Sequence, residues 1–173
     1  MNEFIAALVK RRSIRKFKEE QISEEALNDI LTAGLHAPTA ANLQYATFIV
    51  VQDKALLQKL TAMNQQIMGK SNEDPYHGAP TVILVFTKTG FPCGTEDGAL
   101  AIGNMANAAF SLGIGSCWIH REKEMFETEE GKAFLLEIGV KAELSGVGAL
   151  AVGYADVGFE GVKEIKPDRV FRV

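Results

Sequence analysis

The chain has 173 residues, 47% of them hydrophobic and 23% charged, with a net charge of −4 and an isoelectric point near 5.4. That length and apolar content support one domain with a real core and exclude a disordered or fibrous chain, while the acidic balance argues against a general nucleic-acid surface. Two cysteines without CxxC spacing and three scattered histidines give no disulfide framework or metal constellation, and with no signal peptide or bilayer-length apolar run a cytoplasmic location is expected.

Asn2 to Lys10 places Phe4, Ile5, Leu8 and Val9 at helical spacing, which predicts a short amphipathic helix. It delivers the stretch Lys10 to Phe17, which holds five cations in eight residues of an otherwise acidic chain. In an extended segment Arg11, Ser13 and Arg15 share one side, with Arg12 and Ile14 on the other. Two guanidinium forks flanking a hydroxyl match a phosphate monoester. The same residues also fit a solvated basic turn. Ser23 then caps a second helix with Glu24 and Glu25 in its first turn and Ala26, Leu27, Ile30, Leu31 and Leu35 as its buried stripe. This helix should stop near His36 and Ala37, because Pro38 disfavours helical geometry before it.

Pro38 to Gln44 is a loop of small and amide residues leading to a strand over Thr47 to Gln52. Either it lets the backbone approach a planar ligand, with Asn42 and Gln44 offering donors and acceptors, or it is a plain connection. Asp53 caps a helix from Lys54 to about Met68, with Leu56, Leu57, Leu60 and Met63 on one face, and a polar loop follows over Lys70 to Gly78. The continuous run Thr81 to Thr87 reads as a central strand covered on both faces. After a Gly/Pro loop holding Cys93, Asp97 to Leu112 is a helix rich in alanine and glycine, which is either central in the domain or part of a subunit seam.

Gly113 stops that helix and a strand follows through His120. The glycines and Ser116 either present bare amides to a ligand or make a tight turn. Cys117 beside the single tryptophan has no evident activating base, so a buried structural thiol is the favoured reading, and His120 reads as a sheet-edge histidine. Glu122 to Val140 is expected to be an acidic, exposed helix with Phe134, Leu135 and Ile138 turned inward. Ser145 to Ala155 is expected to be a buried strand thinned by glycine where a backbone or ring approaches. The tail from Val162 to Val173 is a candidate edge strand. The order of elements implies an α+β sandwich with one mixed sheet and no second domain.

Arg11 to Phe17, Ala37 to Gln44, Gly78-Ala79-Pro80, Ser111 to Trp118 and Gly148 to Tyr154, in this order and spacing, resemble the FMN-dependent nitroreductase family through nearly the whole chain. The resemblance implies one FMN-binding domain over residues 1–173, a three-layer sandwich whose mixed, mostly antiparallel sheet is flanked by helices, and an intertwined homodimer with FMN at the subunit interface. It assigns Arg11 and Ser13 to the phosphate, and Arg12 and Arg15 to phosphate or the pyrimidine edge. Pro38, Thr39 and Ala40 would come from the partner subunit, and Asn42 would meet the ring or ribityl region. Backbone amides of Gly115, Ser116 and Cys117 would face flavin N5, with Asn64 matching a ring-edge amide and Lys163 at the phosphate. No residue is given a catalytic role, since the flavin carries the chemistry.

Two departures stand out. Where many members have Lys-x-Arg near the end, this chain has Lys163-Glu164-Ile165, with Lys166 as the candidate substitute. Lys88 to Gly98 is also too short for the helical excursion that often covers the flavin, so an open site is expected. The function implied is an NAD(P)H-dependent FMN oxidoreductase reducing nitroaromatic, quinone or similar small-molecule acceptors by ping-pong hydride transfer through N5, using NADH or NADPH. The rival is a flavin-binding storage or sensor module with little turnover. A nucleic-acid or phosphopeptide binder is disfavoured by the net charge, and no membrane partner is expected.

Overall fold

The computed structural model describes residues 1–158 and 163–173, so Val162, the first residue of the tail segment, lies outside the described residues. Asn2 starts α1 (Glu3–Lys10), its side chain accepting from Ile5 N–H at 2.9 Å. Ser23 does the same for α2 (Glu24–Leu35), accepting from Ala26 N–H at 3.2 Å. A 3-10 turn at Ala40–Asn42 precedes β1 (Thr47–Val51). Asp53 caps α3 (Lys54–Met68), which ends on Gly69 in the left-handed conformation that glycine adopts without a steric penalty. Then follow β2 (Thr81–Lys88), α4 (Gly94–Ser111) and β3 (Gly115–Ile119). The chain continues through α5 (Glu122–Glu127), α6 (Glu129–Glu137) and β4 (Leu144–Gly153).

The strands lie in the order β1-β2-β4-β3 and every pairing between them is antiparallel. The parallel component is an isolated bridge between Ser13 and Ser116. Because side chains alternate along a strand, β2 feeds two cores at once. Val82, Leu84 and Phe86 pack with α3, α5 and α6, whereas Ile83 and Val85 pack with α2 and α4. All five are fully buried, which is what the unbroken apolar run required. The result is the expected three-layer sandwich.

Glycines explain how tightly these layers sit. Beside Gly146 lies the backbone of Glu122 and Lys123, beside Gly148 the Trp118 ring, and beside Gly153 both Pro80 and the Phe17 ring. The glycine-thinned β4 therefore admits one helix backbone, two aromatic rings and Pro80, as expected of a strand approached by backbone or ring. The small-residue helix α4 is central: Ala101, Ile102, Met105, Ala106 and Ala109 are buried in the layer it forms with α2.

Three expectations need correction. Glu122 to Val140 is two helices, broken at Thr128, whose side chain accepts from Gly131 N–H at 3.0 Å and starts α6 anew. Its first residue, Glu122, is fully buried rather than exposed. Leu35, placed on the buried stripe of α2, is 65% exposed, and in that last turn it is Gly34 that meets the core, against Met105 and Phe48. The tail residues 163–173 form no strand.

On α1 no residue is buried: Phe4 is 68% exposed, and Ile5, Leu8 and Val9 also face outward. An amphipathic helix with its apolar face open is an unfinished surface within one copy of the chain. Among the described residues no helix is long and apolar enough to cross a membrane.

Candidate functional site

The basic stretch is fixed by backbone pairing, first to the outer edge of β3 and then to the segment that follows β4. Ile14 N–H donates to the Ser116 carbonyl at 2.9 Å, Lys18 N–H to Tyr154 at 2.9 Å, and Asp156 N–H to Lys16 at 3.0 Å. Ile14 and Phe17 anchor it by entering the same apolar cluster. Gly115 allows this approach, since a side chain there would meet Ile14 and the Gly153 carbonyl.

Arg11 and Ser13 consequently line one cleft of about 360 Å³ with Leu8, Ser116, Trp118 and the α4 residues Gly103 and Asn107. Arg15 does not line it. With Ile14 and Phe17 three positions apart yet both buried in one cluster, the strict two-residue alternation is not kept through Arg15. Its charge still reaches the site. Burial pushes the Cys117 thiol up, and Arg15, a hydrogen bond with Ser13 and Arg11 oppose that rise without cancelling it. Burial also lowers His77, and Arg15 lowers it further against the opposing pull of Asp74. Arg12 turns back on α1, its Nη1 donating to the carbonyls of Val9 at 2.8 Å and Arg11 at 2.7 Å.

The Pro38 to Gln44 loop builds a second cleft of about 580 Å³, lined by Pro38, Thr39, Asn42 and Gln44 together with His36 and Phe48. It shares no lining residue with the first. Ala41, Asn42 and Gln44 take left-handed φ of 49°, 54° and 55°, a conformation that non-glycine residues adopt at a cost of about 1–3 kcal/mol each. Hydrogen bonds hold them there: Gln44 N–H donates to Thr39 Oγ1 at 3.2 Å, and Gln44 Nε2 donates to Asn42 Oδ1 at 3.1 Å. Ala40 N–H donates to both carboxylate oxygens of Asp97, at 3.0 and 3.2 Å.

One chain thus joins Arg11 and Ser13 to Ser116, and brings the charge of Arg15 to Cys117, but leaves Pro38, Thr39 and Asn42 in a separate cleft. Lys163 is exposed. Asn64, matched to a ring-edge amide, is fully buried: its Oδ1 accepts from Arg121 Nε at 2.8 Å and its Nδ2 donates to the His120 carbonyl at 3.2 Å. Both ends of the amide are therefore engaged within the protein.

Sequence reasoning missed two acids. Asp97 carries only the local signal of a carboxylate in a helix's first turn, and its partner lies 57 positions away. Glu122 lies fully buried with its Oε1 accepting from Tyr76 OH at 3.3 Å, while Oε2 has no hydrogen-bond partner among the described residues. Burial pushes its carboxyl up to about 8, against the opposing effects of its own backbone, Tyr76 and Arg121.

The nitroreductase family profile matches residues 8–154. A protein of Archaeoglobus fulgidus provisionally named NADH dehydrogenase/NAD(P)H nitroreductase is 30% identical over 182 aligned positions, covering 99% of this chain and 98% of its own. An FMN reductase [NAD(P)H] of Bacillus subtilis is 30% identical over 67% of this chain, which spans 53% of that longer protein. Among solved structures, a Bacteroides fragilis nitroreductase with bound FMN superposes with a TM-score of 0.92 at 30% identity, covering 100% of both chains.

Proposed function

Because the chain belongs to the nitroreductase family, we propose that it is an FMN-dependent NAD(P)H oxidoreductase, active as a homodimer whose two copies each complete the other's cofactor site. The observation that carries this reading is the convergence of Arg11, Ser13 and Ser116 on one cleft, reinforced by the charge of Arg15, in a chain of net charge −4.

These residues fit a flavin mononucleotide. A phosphate monoester asks for a guanidinium fork and a hydroxyl donor side by side, and Arg11 and Ser13 are such a pair. With Arg12 Nη1 bonded to the end of α1, the phosphate falls to Arg11 and Ser13. Arg15 is the cation for the pyrimidine edge, where fixed positive charge favours added electron density. Pro38, Thr39 and Asn42 of the partner subunit would close the site, since within one chain their cleft is separate. Ala40 would contribute through shape alone, because its N–H is already bonded to Asp97. Lys163 would supplement the phosphate contacts. The backbone of Gly115, Ser116 and Cys117 would edge the ring. The open apolar face of α1 is the surface such a dimer would cover.

Bound there, FMN supplies hydride acceptance from NAD(P)H at N5 and then reduction of a nitroaromatic, quinone or similar acceptor, in ping-pong order. The chain's own work is binding, orientation and electrostatics. The five residues between β2 and α4 hold no helical excursion, so little covers the site from that side. That openness also favours a second reading, a flavin-holding module with slow turnover. Stopped-flow reduction by NADH and by NADPH separates the two, since slow bleaching with both would support the module.

The purified protein is expected to be yellow, and FMN at 100 times its dissociation constant should stabilise it by about 2.7 kcal/mol. A colourless protein whose melting temperature ignores FMN would contradict the proposal. Cys117→Ser should keep turnover within about threefold, against the loss of several orders of magnitude that follows removal of a covalent nucleophile. Steady-state NAD(P)H oxidation measures this.

A further inference from the structure

Asp97 is 3% exposed and sits in the first turn of α4, where the helix N-terminus favours its charge. The carboxylate lies on a rigid mount. One turn of α4 packs so closely on the sheet that a side chain at Gly98 would come within 2.9 Å of Val147, and Gly94 sits directly against Thr87. From this mount Asp97 reaches across to another segment and takes the Ala40 N–H on both oxygens. The loop it takes hold of is the one that needs holding. Ala41, Asn42 and Gln44 are all left-handed, and such conformations persist only where surrounding structure imposes them. The bonds from Gln44 to Thr39 and Asn42 lie within the loop and set its shape, but they do not fix its position relative to the sheet.

We propose that Asp97 is the positioning residue of the cofactor site: by fixing Ala40 to the start of α4 it sets where Pro38, Thr39 and Asn42 are presented to the flavin bound chiefly by the other subunit. The proposal rests on the functional reading above and adds a residue that touches neither cofactor nor substrate. A carboxylate suits the task because it accepts a backbone N–H with about twice the strength of a neutral acceptor. Being anionic, it would act poorly as a direct phosphate ligand, which keeps the positioning and binding roles on different residues.

The test uses the full-length protein, with hydrogen exchange of the loop amides in the cofactor-free protein and FMN titration by fluorescence quenching. Asp97→Ala should erase protection of the Ala40 amide and weaken FMN binding about tenfold, whereas Asp97→Asn, which retains one neutral acceptor oxygen, should recover about half of the lost protection and binding. Asn104→Ala is the control, because it removes a 3.1 Å bond from the same helix to the Ala33 carbonyl without touching the loop. It should lower the melting temperature yet leave FMN affinity within about threefold. The proposal is overturned if Asp97→Ala binds FMN as wild type does, if Asp97→Asn rescues nothing, or if Asn104→Ala weakens binding equally. A wild-type chain that takes up no FMN would instead sink the functional reading, and the two failures differ in which protein fails.

Discussion

Arg11→Ala is expected to weaken FMN binding about 100-fold, close to 3 kcal/mol, while leaving the fold intact. The magnitude follows from what the substitution leaves behind. Arg11 lines its cleft beside Ser13 and Ser116 at the β3 edge, so removing it takes a bidentate partner from a doubly charged phosphate and leaves that charge without its fork. Folding should be nearly indifferent, because Arg11 belongs to neither apolar cluster and the stretch is held by the backbone bonds of Ile14 and Lys18. Arg11→Lys should recover charge without the fork and fall between the two. Fluorescence titration at two salt concentrations measures this, and wild-type-like affinity in Arg11→Ala would remove Arg11 from the site.

Glu122→Gln is expected to stabilise the protein at pH 8 by on the order of 4 kcal/mol and to have little effect near pH 4.5. The sign follows from linkage. Burial raises the folded-state carboxyl from 4.5 to about 8, so the folded chain keeps a proton that the unfolded chain releases over that interval. The contribution to stability is whole below about pH 4.5 and is lost as pH rises towards 8. A neutral amide of the same shape has no such proton and removes the dependence. The other charges in this pocket, Arg121 and Glu124, and the Tyr76 hydroxyl are shared by both proteins. Tyr76 is held well above its ordinary value, chiefly by burial, so it stays neutral throughout this range. Denaturant unfolding at pH 5, 6.5 and 8 should show the two proteins diverging steadily, and a difference that stays constant with pH would show that Glu122 does not titrate there.

Much of the framework was legible because local chemistry decides it. Ser23 and Asp53 cap helices wherever they stand, the run from Thr81 to Thr87 has no polar face to present to water, and the glycines of β4 marked the close approaches of Glu122, Trp118 and Phe17. The break at Thr128 was legible in principle. Thr128-Glu129-Glu130 repeats the pattern of Ser23-Glu24-Glu25, a hydroxyl cap followed by two acids, but sat within a segment whose acidity suggested one exposed helix. What periodicity could not show was burial set by distant segments. Glu122 is interior because β4 reaches its backbone through Gly146, and Asn64 is interior because Arg121 and His120, 57 and 56 positions away, occupy its two ends.

The site followed the same division. That Arg11 and Ser13 would face one cleft came from strand alternation, and the structure shows it; the departure of Arg15 came from Phe17, whose anchoring in the core no local pattern announces. The strain of Ala41, Asn42 and Gln44 was also hidden, because none is glycine and nothing nearby signals a left-handed turn. Bonds within the loop, from Gln44 to Thr39 and Asn42, hold that shape, and Asp97 ties the loop to α4 through the Ala40 N–H.

Mixing two defective chains tests the shared site most directly. Arg11→Ala spoils the half built on α1 and β3, and Asn42→Ala spoils the half built on the loop after α2. If each site draws one half from each of two symmetric copies, random pairing of the two variants forms mixed dimers with one intact site, and flavin-dependent NAD(P)H oxidation should return to about a quarter of wild type. Activity in the mixture no higher than the average of the two variants alone would place both halves in a single chain and contradict the shared cofactor site.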